Sequence, residues 1–227
     1  FKNNEYFHPI VEGYTLIGEI LEPSLLFISS SDFSANVGAR ALKYFGTSKL
    51  TELVPILRLQ YKAHPNIIVS SGTISTGENH NMNEAVFSSE RNLTDCSDEG
   101  IQIISSFKKF KSDTWLDWEQ FIFKDDSLQE IFNIGHSSEF LAFDFKNISL
   151  SIPLLFLAYH EGGQINRDPK PPLHMTYNYS SGINADLSFD KFNIVVKNSI
   201  NYFSNASSSL LTEYKKGFGI MNQLFFD

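Results

Sequence analysis

Acidic side chains at alternate positions of one short segment are the first residues whose types and spacing could do chemistry. Asp113, Asp117 and Glu119 have the same parity, so they share one face if the segment is an extended strand. Paired carboxylates can hydrolyse a glycosidic bond, but acids on a single strand are a weak indication of that reaction. A charged network or constriction inside a β-barrel fits the pattern better, with Arg40 and Arg58 from other segments as partners.

A second candidate is the run His160–Gln164, which begins like a zinc-protease motif. That motif, H-E-x-x-H, requires a second histidine at the position that Gln164 occupies here. The six histidines of the chain are scattered, and no other histidine lies at metal-ligand spacing. We therefore predict a turn at Gly162 and Gly163, and no metal site.

The sequence lacks the motifs of familiar enzyme classes. It has no glycine-rich phosphate loop, no G-x-S-x-G nucleophile motif and no dinucleotide-binding fingerprint. Gly217 and Gly219 lie in a predicted strand, where glycine permits close packing or curvature. The sequence thus predicts no catalytic residues, no cofactor and no enzymatic activity.

Cys96 is the single cysteine, so an internal disulfide is excluded. We interpret it as a free thiol without a special role, because no sequence feature supplies a base that would activate it. The 18 basic and 26 acidic residues give a net charge of -8, which argues against a nucleic-acid partner.

The elements that would position these side chains are indicated by hydrophobic residues that alternate with polar ones. In Thr51–Lys62, Leu53, Leu57, Leu59 and Tyr61 fall on one face, and mostly charged or polar residues fall on the other. The same period of two recurs in segments 33–45, 148–156, 175–180 and 192–202. This period is typical of β-strands and does not fit a helix.

Short polar turns separate the predicted strands, and two connections are longer. The longer ones run from Gly77 to Gly100 and from Gly162 to Pro172. No apolar stretch is long enough for a transmembrane helix, so a membrane location would require strands. We predict an all-β fold of about a dozen antiparallel strands, an up-and-down transmembrane β-barrel or part of a larger one, with 77–100 as an extracellular loop.

Aromatic residues collect near the ends of the predicted strands. They include Tyr44, Phe45, Tyr61, Phe121, Phe123, Tyr159, Tyr202, Phe203, Phe225 and Phe226. In a membrane barrel such residues form girdles at the two interfaces between lipid and water. The alternative is a soluble, secreted β-sandwich that binds carbohydrate through exposed aromatic residues such as Trp115.

Several segments together resemble a poorly characterised family of outer-membrane proteins from Bacteroidetes-type bacteria. The segments are Phe1–Phe7, Glu12–Leu16, Leu42–Gly46, Ser89–Arg91, Glu99–Gln102, Trp115–Lys124 and His160–Ile165. The resemblance implies an outer-membrane location and a porin-like or assembly role. It transfers no catalytic residue, and it implies that relatives are longer than this chain.

We therefore predict that residues 1–227 form a single β-barrel domain or a fragment of one. The domain would lie in a bacterial outer membrane in contact with its lipid. It would pass small solutes, or act as a structural subunit beside other envelope proteins. Its lumen would be lined by polar side chains, among them Arg40, Arg58, Asp113, Asp117 and Glu119.

Overall fold

The computed structural model describes residues 17–75, 79–89, 91, 97–123, 126, 128–163, 172–208 and 214–226. Twelve antiparallel strands form one sheet, which confirms the all-β, up-and-down prediction. The strands are β1 Gly18–Leu21, β2 Ser24–Ile28, β3 Phe33–Tyr44, β4 Glu52–His64, β5 Ile67–Thr73, β6 Glu99–Ser106, β7 Phe110–Gln120, β8 Ile131–Phe145, β9 Ile148–Glu161, β10 His174–Ser188, β11 Asn193–Asn205 and β12 Lys216–Phe226.

From β3 to β12 each strand pairs with the next one along the chain. Strands β1 and β2 both pair with β3, β1 against Ala41–Tyr44 and β2 against Ser34–Gly38. The two strands follow one another along the same edge of β3. The edge strand is interrupted at Glu22 and Pro23, since proline cannot donate a ladder hydrogen bond. Among the described residues, no pairing joins β12 to β1 or β2.

The two faces of the sheet have the reverse of the usual polarity of a water-soluble protein. Leu53, Leu57, Leu59 and Tyr61 of β4 alternate with less exposed residues, as predicted, and all four are exposed. The face that they belong to is called the apolar face here. The opposite, polar face buries side chains such as Ser70, Gln102, Asp113, Asp117, Asn133, Ser137, Ser151 and Ser180.

Aliphatic side chains predominate in the middle of the apolar face, although some, such as Ile28 and Ile148, also lie at an end. Exposed aliphatic side chains, such as Leu57, Ile103, Leu154, Ile183 and Ile200, lie in its middle. Exposed aromatic side chains lie nearer the two ends, for example Phe33, Phe110, Phe143, Phe145 and Phe226 at one end and Trp118, Phe121, Phe123, Tyr202 and Phe218 at the other. This order is the one that a strand-built membrane protein presents to a bilayer.

The connections at the two ends of the sheet differ in length. Short turns join the strands at one end, at 29–32, 65–66, 107–109, 146–147 and 189–192. Longer connections join them at the other, at 45–51, 74–98, 121–130, 162–173 and 206–215. We call this second end the long-loop end. None of the helical residues that the structure describes belongs to a helix able to cross a membrane.

Part of the connection between β5 and β6 lies against the sheet. Its described part, residues 79–89 and 91, lies against the polar face and is called the inner segment here. Asn83 donates hydrogen bonds to Ser180 and Asn201, at 3.0 and 3.1 Å, so the segment reaches β10 and β11. The described part of the predicted extracellular loop 77–100 therefore packs against the polar face, where Asn83 finds polar partners. Cys96, the stretch 1–16 and residues 164–171 lie outside the described residues.

Candidate functional site

The inner segment is anchored on Trp115 of β7. The indole is 2% exposed and packs with Phe87 of the inner segment, at 6.2 Å between ring centroids. Gly135 lies opposite Trp115 on β8, and a Cβ atom there would lie 2.1 Å from the indole ring. A glycine at 135 is therefore required by the position of the indole. The burial also rules out carbohydrate binding through an exposed Trp115, the alternative raised by the sequence.

His80 lies near the start of the inner segment and is held by two carboxylates. Its Nδ1 is 2.8 Å from Asp113 Oδ2, and its Nε2 is 2.9 Å from Asp98 Oδ2. Both ring nitrogens must donate when both acceptors are ionised, so the geometry fits an imidazolium. Asn79, His80 and Asn81 all have positive φ, at 53°, 55° and 57°. Asparagine and histidine tolerate this conformation better than most residues, which explains the sequence of the turn.

Opposing effects set the pKa values in this network. Burial would lower the pKa of His80, but the hydrogen bonds and charges of Asp113 and Asp98 outweigh it, so the pKa lies above its ordinary value. Burial would likewise raise the pKa of Asp98, but hydrogen bonds and charges from His80 and Arg91 hold it below its ordinary value. Both shifts favour the charged forms of His80 and Asp98 in the folded protein.

Further polar groups complete the network. Arg91 hydrogen-bonds both carboxylate oxygens of Asp98, and its Nη2 lies 3.7 Å from Asp117 Oδ2. Gln102 donates to Asp113 at 2.9 Å and to the carbonyl of Ser75 at 2.7 Å. The network holds the inner segment on the sheet. It does not offer a catalytic base, because His80 is fully buried and both of its nitrogens are engaged.

A second histidine, at the long-loop end of the polar face, is partly exposed and has one ring nitrogen without a described partner, in contrast to His80. His174 of β10 is the cross-strand neighbour of Glu161 of β9, and its Nδ1 lies 3.2 Å from Glu161 Oε2. The same oxygen accepts a hydrogen bond from the Tyr159 hydroxyl at 3.1 Å. The His174 and Glu161 side chains are 22% and 30% exposed. Within the described residues, no hydrogen-bond partner occupies His174 Nε2, so that nitrogen can accept a proton.

Glycines shape the chain directly after Glu161. Gly162 and Gly163 have φ values of 83° and 76°, which confirms the predicted turn. The turn leads the chain out of β9 at the long-loop end. The Glu161–His174 pair is thus reachable from that end of the sheet, whereas His80 is not.

A third histidine lies on the apolar face and has partners on both nitrogens. Thr114 Oγ1 is 2.8 Å from His136 Nδ1, and Ser138 Oγ is 3.1 Å from His136 Nε2. A serine, a base and an orienting hydroxyl resemble a nucleophilic site. The three residues lie in the middle of β7 and β8 on the apolar face, however, away from both ends of the sheet. We interpret the three side chains as a self-satisfied polar patch.

The structure places three of the predicted lumen residues on β7. Asp113 and Asp117 are buried in the network described above. Glu119 accepts a hydrogen bond from Asn133 Nδ2. Asn133 lies on β8, which is next to β9, the strand that carries Glu161. Cross-strand pairing places Asn133 between Asp117 and Tyr159, so these polar residues form a row across β7, β8 and β9.

The two predicted arginines lie elsewhere. Arg40 forms an ion pair with Glu22 at 3.0 Å. Arg58 donates to the carbonyl oxygens of Thr73 and Ile74, at 2.6 and 2.9 Å. The arginines therefore contact the end of β5 and the interruption between β1 and β2, instead of the acids of β7.

Sequence reasoning did not single out His80, Asp98 or His174. The strand register brings Glu161 and His174 together, and the position of the inner segment on the polar face brings His80 to Asp98 and Asp113. A usable signal for His174 was its position at the start of a strand after a long connection. No group of three or more His, Cys, Asp or Glu side chains suited to a metal ion occurs in the part of the chain that is described.

A family model described as lipid A 3'-O-deacylase-type matches residues 1–227. No curated protein sequence matches the chain. The family match overturns two expectations. The resemblance to an uncharacterised porin-like family is wrong, and so is the prediction of no enzymatic activity, because the matched family is one of enzymes. The sequence lacks a familiar nucleophile motif, and that lack misled the prediction. Since the match spans the whole chain, this protein belongs to the lipid A 3'-O-deacylase-type family.

Proposed function

We propose that this chain is an outer-membrane β-barrel enzyme that hydrolyses the 3'-O-linked acyl ester of lipid A. The observation that carries the proposal is the Glu161–His174 pair, the one histidine–carboxylate pair of the described residues that is both partly exposed and at the long-loop end. The match to the lipid A 3'-O-deacylase-type family supports the reaction and the substrate.

The exposed apolar face supports a membrane location. Burying an apolar side chain away from water contributes roughly 1.5–3 kcal/mol, so a face of this kind is stable in contact with lipid. The short turns would face the periplasm and the longer connections the outside, as is usual for such barrels. This orientation places His174 at the outer side of the membrane.

The proposed mechanism uses His174 as a general base. Glu161 accepts a hydrogen bond from Nδ1–H, which keeps the proton on Nδ1 and leaves Nε2 as the acceptor. His174 Nε2 takes a proton from water as the water oxygen attacks the ester carbonyl carbon. The tetrahedral intermediate then expels the sugar oxygen, to which His174 returns the proton. The products are a free fatty acid and a sugar hydroxyl, so atoms and charge balance.

The polar face would line the interior of the closed barrel, with Arg40, Arg58, Asp113, Asp117 and Glu119 among the lining residues. Free passage of small solutes is supported less well, because the inner segment lies across this face and is bonded to β7, β8 and β11. A role as a subunit beside other envelope proteins would be detected by co-purification from the native membrane.

The rate of fatty-acid release from lipid A tests the proposal, with the purified chain in non-ionic detergent micelles. We expect His174→Gln to lower kcat by roughly 10²- to 10⁴-fold, the usual contribution of general base catalysis. Glu161→Gln should give a smaller loss, because the imidazole remains but is no longer oriented by a charge.

His64→Gln is the matched control, because His64 lies at the short-turn end of β4 and is exposed. It should keep the wild-type rate. Heat-modifiability on a gel reports folding for every variant. A folded His174→Gln protein that hydrolyses lipid A at the wild-type rate would refute the assignment of the base.

A further inference from the structure

A cavity distinct from the Glu161–His174 pair lies where β3, β4 and the end of β5 meet on the polar face. Its volume is about 260 Å³. Among the described residues, its charged lining side chains are Arg40, Arg58 and Glu22. Hydroxyl and amide side chains make up most of the remaining wall, namely Ser24, Asn36, Thr73, Ser75 and Ser97.

The interruption between β1 and β2 helps to build this cavity. Gly38 of β3 lies between Asn36 and Arg40, and a Cβ atom there would be 2.4 Å from the carbonyl oxygen of Pro23. The missing side chain lets the chain at Pro23 approach β3 closely. Glu22 and Ser24, which flank that proline, thereby reach the cavity wall.

Arg58 keeps unused hydrogen-bonding capacity. A guanidinium has five N–H donors. Arg58 uses Nε and Nη2 for the carbonyl oxygens of Thr73 and Ile74, which fix the group in place. No carboxylate of the described residues lies within ion-pair distance of it, and it is half-buried. Among the described residues, Arg58 is thus a positioned cation with no carboxylate in direct contact.

Two further polar atoms of the wall are buried and lack a protein partner among the described residues. They are Asn36 Oδ1 and Ser97 Oγ. Buried polar atoms are usually paired, so these two atoms point to an occupant of the cavity. The Ser97 hydroxyl can donate to an anion, whereas Asn36 Oδ1 is an acceptor and requires a donor such as water. Water could bond both atoms, but it would not balance the charge of Arg58.

We propose that this cavity binds a small phosphate-bearing anion of the diphosphate type. Arginine is suited to this ligand because its planar fork matches two phosphate oxygens at once. Cross-strand pairing places Arg58 opposite Asn36, four residues from Arg40, so the two Cα atoms are roughly 13 Å apart along the strands. An elongated anion can reach both guanidinium groups, and the Ser97 hydroxyl can donate to it. The site does not depend on the proposed hydrolysis.

Isothermal titration calorimetry with pyrophosphate tests the proposal on the full chain in a non-ionic detergent. We expect 1:1 binding that weakens with added salt. Arg40→Gln and Arg58→Gln should each lower the affinity by roughly ten- to hundredfold, as expected for the loss of charge-assisted hydrogen bonds. Lys111→Gln is the control, since Lys111 is on β7 and outside this cavity.

Ser97→Ala provides a variant with little risk of misfolding, because its Oγ bonds no described protein group. It should lower the affinity and leave heat-modifiability unchanged. Competition by micelles that contain phosphatidic acid would identify the ligand as a lipid headgroup, whereas its failure would identify a free anion. The proposal is overturned if wild type does not bind pyrophosphate, or if folded Arg40→Gln and Ser97→Ala bind it as tightly as wild type does.

Discussion

The imidazole of His80 lies flat on the indole of Trp115, with ring centroids 3.7 Å apart and 9° between the ring planes. The stack joins the inner segment to the middle of β7. A protonated imidazole gains from the electron-rich face of an indole, in addition to the apolar contact. The protonation of His80 therefore affects how well the inner segment packs on Trp115 of β7.

Removal of the indole should release the inner segment. We expect Trp115→Ala to lower the free energy of unfolding by about 3–5 kcal/mol, the usual cost of truncating a buried aromatic residue. Trp118→Ala is the control, because Trp118 lies three residues away on the other face and is exposed. Urea unfolding in lipid vesicles measures both. Equal losses in the two variants would contradict the role of the stack.

The close approach of Gly135 to the indole predicts a second effect. An alanine Cβ at 135 would lie 2.1 Å from the ring, so Gly135→Ala should destabilise the protein by roughly 1–3 kcal/mol, as overpacking does. Gly219→Ala is the matched control in β12, because no atom lies within 4 Å of its Cβ position. It should be neutral or stabilising in the same unfolding assay. The reverse order would refute the packing described here.

The charges around His80 predict a pH dependence of stability. Because the pKa of His80 is raised, its contribution is complete below the ordinary value of 6.5 and is lost as the pH rises through the folded-state pKa. The pKa of Asp98 is lowered, so its contribution is present above the ordinary value of 3.8 and is lost as the pH falls through the folded-state pKa. The free energy of unfolding should therefore be greatest at a pH above the folded-state pKa of Asp98 and below that of His80.

His80→Gln separates the two effects. The difference in unfolding free energy between wild type and this variant should shrink as the pH rises above the folded-state pKa of His80. Urea titrations over a range of pH measure this difference. A difference that is the same at acid and alkaline pH would show that His80 is not an imidazolium in the folded protein.

The apolar face predicts a depth-dependent cost for a charge. Ile103→Arg, in the aliphatic middle of this face, should cost roughly 2–4 kcal/mol in a bilayer, whereas Phe145→Arg at the end of β8 should cost about 0–1 kcal/mol beyond the loss of the ring. Unfolding in phospholipid vesicles tests the order. Equal costs at the two positions would argue against contact with lipid.

Local patterns in the sequence predicted much of the fold. The alternation around Leu57 fixed the faces of β4, and Gly162–Gly163 marked the end of β9, because both features act between near neighbours in the chain. Asp113 and Asp117 share the polar face for the same reason. Their surroundings could not be predicted in this way.

The candidate site depends on pairings that a single sequence does not contain. Glu161 and His174 meet because β9 and β10 pair in one register, and a shift of one residue would place them on opposite faces. Asp98 and Asp113 meet at His80 because the connection after β5 turns inward. The prediction that Arg40 and Arg58 pair with the acids of β7 was wrong. Arg40 pairs with Glu22 instead, and the alternating pattern of the strands does not show that the interruption at Pro23 brings Glu22 to β3.

The central claim is tested most directly by expressing the chain in a Gram-negative host and measuring the mass of extracted lipid A. We predict that wild type, found in the outer membrane, removes one ester-linked acyl chain and exposes a 3'-hydroxyl, whereas His174→Gln leaves lipid A unchanged. Unaltered lipid A in cells that hold folded wild-type protein in the outer membrane would contradict the account.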